Sequence, residues 1–232
     1  MGIDLATGIL WFTAFLFSTT VHEAMHALVA WKGGDPTAYH GGQVSLSPIP
    51  HIRREPIGML LVPLLTSFTQ GWAMGWASAP YDPVWAERHP KRAALMAAAG
   101  PAGNFLIAIV AFILIKIGLL AGWFVAPNHV NFSHLIAFAS GGDGAVPMGL
   151  SILLMFNVIA GTFNLLPLPP LDGSAVITLF LPDDLAAGLR NLERNGTFSM
   201  IGLIVAWRFF PVMVDPLFVL VLKLVHPSAS YQ

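Results

Sequence analysis

The 232-residue chain is 56% hydrophobic and 10% charged, with a mean hydropathy of +0.71 and a formal net charge of -1. So apolar a composition excludes an ordinary soluble domain and predicts a polytopic membrane protein, a single membrane-embedded domain over residues 1–232. Lys and Arg in small scattered groups give no field for nucleic acid, and the lack of cysteine excludes disulfides and thiolate metal ligands.

The first predicted helix runs from about residue 4 to 31 and stops at Gly33-Gly34-Asp35-Pro36. It is long and apolar enough to cross a bilayer, and it lacks the basic segment of a cleaved signal peptide. Its last third carries His22-Glu23-Ala24-Met25-His26. Four residues advance a helix by about 400°, so both imidazoles leave nearly the same face and can grip one cation. Zinc suits neutral imidazole, and an open coordination position would hold a water that Glu23 could deprotonate. Ionisable groups inside an apolar span are costly, which argues against idle surface histidines.

Residues 42–48, with the alternation Gln43-Val44-Ser45-Leu46-Ser47 closed by Pro48, predict a short edge-like strand. A second apolar run over 57–77 is interrupted by Pro63, Gln70, Gly71 and Gly75 and does not read as a simple span. After a breaker-rich polar connection, a second spanning helix is expected over about 93–120, opening with the small residues Ala97 to Gly103 that let another helix approach closely. Asn104 at that seam is expected to tie spans together. The 121–147 stretch has no Lys or Arg. A third span over about 148–166 places Asn157, Gly161 and Asn164 on one narrow polar face. It ends at Pro167-Leu168-Pro169-Pro170, which leaves Asp172 in irregular structure. Residues 182–196 read as a polar surface helix, and 197–224 as a last span kinked or split at Pro211 and Pro216. The fold class is therefore all-α, with about four to six transmembrane helices and a short β-strand or re-entrant insertion after the first.

Positive charge sets the orientation. Lys32, Arg53, Arg54, Arg88, Lys91, Arg92, Arg190 and Arg194 place 32–92 and 183–197 in the cytoplasm, with 121–147 outside. The count closes only if 57–77 makes no net crossing. The ends of the first and third spans, with His26 and Asp172, then share the cytoplasmic side of a cell (inner) membrane.

These residues resemble the site-2-protease family of intramembrane zinc metalloproteases. The similarity rests on His22-Glu23-Ala24-Met25-His26, on Gly100-Pro101-Ala102-Gly103-Asn104, and on Asn164-Leu165-Leu166-Pro167-Leu168-Pro169-Pro170-Leu171-Asp172-Gly173. Also similar are the stretch 42–48, Pro56-Ile57-Gly58 and Gly75-Trp76-Ala77. It covers roughly residues 15 to 200 in the family's order. The resemblance implies one zinc per chain held by His22, His26 and Asp172, Glu23 activating the water, and Asn164 steadying the oxyanion. Some members carry a span before the metal-bearing one, and no added regulatory or peptide-binding domain is read here. The implied function is hydrolysis of peptide bonds of membrane-protein substrates within or near the bilayer. A substrate helix must unwind there, and the Gln43–Ser47 edge could pair with it. Expected partners are a transmembrane protein or peptide substrate and the lipid bilayer, with a homo-oligomer left open.

Two rival classes predict other features. A zinc transporter calls for a further ligand cluster along its path, yet His40, His51 and His89 fall in loops, His129 and His134 on the far side and His226 at the tail. A catalytically idle scaffold has no need of Glu23 beside a ligand.

Overall fold

Four long apolar helices organise the computed structural model, which describes residues 4–142, 144–193 and 196–227. The first, α1 (Leu5–Lys32), starts where the Asp4 carboxylate accepts from the Thr7 N–H at 3.3 Å, and ends where the Gly33 N–H closes on Val29 O at 2.8 Å. Beyond it, α2 (Thr37–His40) and α3 (Ile49–Arg54) are short pieces of a connecting loop. Asp35 fastens that loop: its carboxylate accepts from the Thr37 hydroxyl at 2.5 Å, the Thr37 N–H at 3.0 Å and the Asp82 N–H at 2.8 Å. Burial alone would raise the Asp35 pKa, but these bonds outweigh it and hold the carboxyl below its ordinary value of 3.8.

The strand expected over 43–47 does not form. Ser45 and Ser47 turn their hydroxyls onto the N–H groups of Ser47 and Ile49, at 3.0 and 3.4 Å, a local alternative to a ladder. Gln43 is packed inward at 2% exposure and donates to Ser78 O at 3.3 Å. The sheet among the described residues lies elsewhere, where β1 (Phe124–Val125) pairs antiparallel with β2 (Ala137–Phe138) inside the loop between the second and third spans.

Residues 57–77 go in and come back. A π-helical turn over Ile57–Leu61 leads into α4 (Val62–Thr69), and a run over 73–82 without helix or strand then returns beside it. The Trp76 N–H bonds to Gly58 O at 3.2 Å, so the two ends of the segment meet and it makes no net crossing. Gly58 permits that approach, since a Cβ there would strike the Trp76 carbonyl.

After α5 (Pro83–Arg88), α6 (Pro90–Leu120) is the second span and α7 (Ala145–Asn164) the third. At about 1.5 Å per residue, even the 20 residues of α7 reach about 30 Å, the thickness of a hydrocarbon core. The small residues at the start of α6 let it lie against α1, where Gly103 leaves only room for Met25 and Val21. α1, α6 and α7 form the central bundle. The chain then breaks at the prolines, with a cis bond between Pro169 and Pro170, and resumes as α8 (Asp172–Ile177). The polar α9 (Asp183–Glu193) follows; Arg194 lies outside the described residues. The last span, α10 (Gly196–Val225), runs through Pro211 and Pro216 as one helix, so of the kink or split expected there the split does not occur. It sits at the edge, with 17% of its apolar stretch buried against 33–44% in the other three. Lys116 of α6 ties down its end by donating to Leu224 O and Val225 O at 3.4 and 3.2 Å.

Candidate metal centre

One helical turn of α1 presents His22 and His26 inward, and both rings are buried at 7% and 6% exposure. Their Nε2 atoms are 2.9 Å apart. Each ring is fixed from behind. His26 Nδ1 lies 2.7 Å from the Met96 carbonyl of α6, and His22 Nδ1 lies 2.6 Å from Asn104 Oδ1. A carbonyl oxygen only accepts, so each Nδ1 carries the ring proton and each Nε2 turns a lone pair into the shared space.

The Asn104 orientation is itself determined by a buried relay. Asn104 Nδ2 donates to Asn157 Oδ1 at 2.8 Å, and Asn157 Nδ2 donates to Ser18 Oγ and to Leu153 O, both at 2.8 Å. Three spans, α6, α7 and α1, thus meet behind one imidazole. The Gly100 backbone lies over the ring pair, and a Cβ there would collide with the Nε2 atoms of both histidines.

Asp172 arrives from the far end of the chain. Ser174 Oγ donates to Leu171 O at 2.6 Å and the Leu171 N–H to Leu168 O at 2.9 Å, a tight turn that starts α8 at the bundle end of α7. The carboxylate reaches His22 Nε2 with Oδ2 at 3.2 Å and His26 Nε2 with Oδ1 at 3.3 Å. Its Oδ2 receives no hydrogen bond, and neither does Oε2 of Glu23, which is 4% exposed and has a carboxylate oxygen within 4.8 Å of both imidazoles.

The donor set fits zinc. Two buried lone pairs held 2.9 Å apart repel unless a cation lies between them, and two carboxylates with unpaired oxygens lack positive charge. Tetrahedral zinc with bonds of about 2.0–2.1 Å has ligand-to-ligand edges of about 3.3 Å; here the two Nε2 atoms are 2.9 Å apart, and each lies within 3.3 Å of a different oxygen of the Asp172 carboxylate. His22, His26, Glu23 and Asp172 are therefore brought together. Asn164 is not: it is half-buried, and its amide donates to Ala160 O of its own helix at 3.1 Å. The sequence reading missed Asn104 as a partner of His22 and missed the Met96 carbonyl altogether. A signal for Asn104 existed in its place in the 100–104 motif, but its partner is 82 residues away.

Over 190 residues the chain is 33% identical to the protein named "Putative zinc metalloprotease YwhC" of Bacillus subtilis, covering 82% of this chain and 77% of that one. It is 27% identical over 200 residues to "Putative zinc metalloprotease Rip2" of Mycolicibacterium smegmatis, covering 85% and 67%. The protein of the same name in Mycobacterium tuberculosis is 29% identical over 165 residues, covering 70% and 54%. No family model and no solved structure matches the chain.

Proposed function

We propose, from the premise that this chain belongs to the site-2-protease-like family of zinc metalloproteases, that it is a zinc-dependent endopeptidase cleaving membrane-protein substrates within or near the bilayer. The observation that carries this reading is the convergence of His22, His26 and Asp172 around one point, with Glu23 alongside. In it, His22, His26 and Asp172 hold one zinc per chain. When bound, zinc lowers the pKa of its water and polarises the substrate carbonyl.

The chain's own groups do the rest. Glu23, buried and with a free Oε2, takes the proton of the attacking water and passes it to the leaving amine. Met96 O and Asn104 keep both Nδ1 protonated, so Nε2 remains a ligand atom throughout. Asn164 keeps the role of oxyanion donor, for which its amide turns away from Ala160 O.

A substrate helix must expose its peptide bond, and an extended edge offers it replacement hydrogen bonds. Residues 73–82 supply such an edge in place of 43–47. Gly75 abuts Phe15 early in α1 and the Asp82 N–H reaches Asp35 beyond its end, so the run passes the level of His22 and His26. Within it, the N–H groups of Ala77, Ser78 and Ala79 have no partner among the described residues. The metal site is assigned to the cytoplasmic side of the cell membrane by the distribution of Lys and Arg.

The experiment is a comparison of membrane proteomes from cells bearing the intact protein and Glu23→Gln. A full-length membrane protein that accumulates in the mutant is the expected outcome. Identical proteomes under conditions where the protein is expressed would count against proteolysis.

A further inference from the structure

α10 carries charge on its outward face. Ile204, Arg208, Val212, Asp215, Val219 and Lys223 succeed one another at spacings of three or four, which makes a single stripe, and every one of them is exposed. Among the described residues none of Arg208, Asp215 and Lys223 has an ion pair or a hydrogen bond. The helix is 30 residues long, about 45 Å, so a hydrocarbon core about 30 Å thick leaves Lys223 close to one boundary. With the core centred on α10, Arg208 lies about 11 Å and Asp215 about 8 Å inside its boundaries. They are seven residues or about 10 Å apart along the axis, too far to neutralise each other. Ionisable groups at such depth occur where protein or water covers them, not against lipid tails. Pro211 and Pro216 add to the demand, because each lacks the N–H that the carbonyls of Trp207 and Val212 would accept from.

We infer that this stripe is a docking surface for a transmembrane helix of another membrane protein, one with an acidic side chain at the depth of Arg208 and a basic one at the depth of Asp215. A second copy of this chain does not fit. Copies inserted in one orientation meet about an axis along the membrane normal, which sets Arg208 against Arg208 and Asp215 against Asp215. Contact between α10 and another face fails as well: the other acid within a span is Glu23, which is buried, and Lys116 is engaged with Leu224 O and Val225 O. On its opposite face α10 meets Pro169 through Gly202, so the occupant sits one helix away from the turn that presents Asp172. The inference rests on the charges of α10 and is independent of the proteolytic reading.

The test uses the full chain in lipid vesicles, labelled at Pro227→Cys, and two synthetic leucine-alanine transmembrane peptides. One peptide carries Glu and Lys seven residues apart, and the other has leucine at both positions. Energy transfer from protein to peptide should show the charged peptide bound on the order of fivefold or more tighter than the leucine one. That preference should vanish in the double variant Arg208→Leu, Asp215→Leu and return in the charge-exchanged variant Arg208→Asp, Asp215→Arg, which keeps the composition of the helix. Equal binding of both peptides to the wild type, or a preference that survives in the leucine variant, would overturn the inference. So would energy transfer between two labelled copies that disappears in the leucine variant, since the occupant would then be a second copy.

Discussion

His22 binds through Nε2 only if Nδ1 holds its proton, and the acceptor that secures this, Asn104 Oδ1, is oriented by Asn157 and Ser18 rather than by anything next to it in sequence. Replacing Asn104 with leucine removes the acceptor while leaving all three proposed ligands in place. The expected result is a loss of about 10- to 100-fold in zinc affinity, read by chelator competition on folded protein. Affinity within twofold of wild type would show that the relay only packs the spans. Asn164 poses the opposite case. Its single bond to Ala160 O, half-exposed, contributes little to stability. Asn164→Leu should therefore keep zinc content and melting temperature while turnover falls by about a hundredfold or more, as a lost oxyanion donor requires. Joint loss of metal and stability would make it a structural tie, and unchanged turnover would end the assignment.

At the scale of elements, the Asp35 knot joins the end of α1 to the end of the 73–82 run. Its folded pKa lies below the ordinary 3.8, so the stability it contributes is present above that value and is lost as pH falls through the folded pKa. Asp35→Asn should melt lower than wild type at pH 7, and the gap should narrow as both are acidified below about pH 4; a gap that stays constant down to pH 2 would contradict the account. The elements differ in how far residue order disclosed them. The four spans were legible because each is a long apolar run ended by Gly or Pro; for 57–77 the internal breakers showed only that it is no simple span and the charge count that it makes no net crossing, while its course stayed open. The loop at 43–47 was not, because the alternation of Gln43 to Ser47 is compatible with a strand until the Ser45 and Ser47 hydroxyls are seen to satisfy the backbone locally. The two-residue strands 124–125 and 137–138 are too short to leave a periodic signal. In the centre, His22, Glu23 and His26 are bound by helical spacing and could be read directly. Asp172 needed the resemblance, and Asn104 and Met96 needed the packing of α6 on α1, which no local pattern encodes.

For the whole molecule, the ends of α1 and α7 meet at one end of the bundle, and the Lys- and Arg-rich connections lie at the same chain ends. With no native cysteine to remove, a cysteine at Asn128, exposed in the loop between α6 and α7, should react with an impermeant maleimide from outside the cell. Labelling only after the cytoplasmic side is opened would invert the topology. The central claim is that a zinc held by His22, His26 and Asp172 and a proton transferred by Glu23 together hydrolyse peptide bonds. It is tested most directly by titrating zinc into the metal-free protein in lipid and recording cleavage of a membrane-protein substrate. Cleavage should rise in proportion to bound zinc and level off at one per chain, and Glu23→Gln should bind the same zinc with no turnover. Cleavage that persists without zinc, or in the zinc-loaded Glu23→Gln protein, would contradict it.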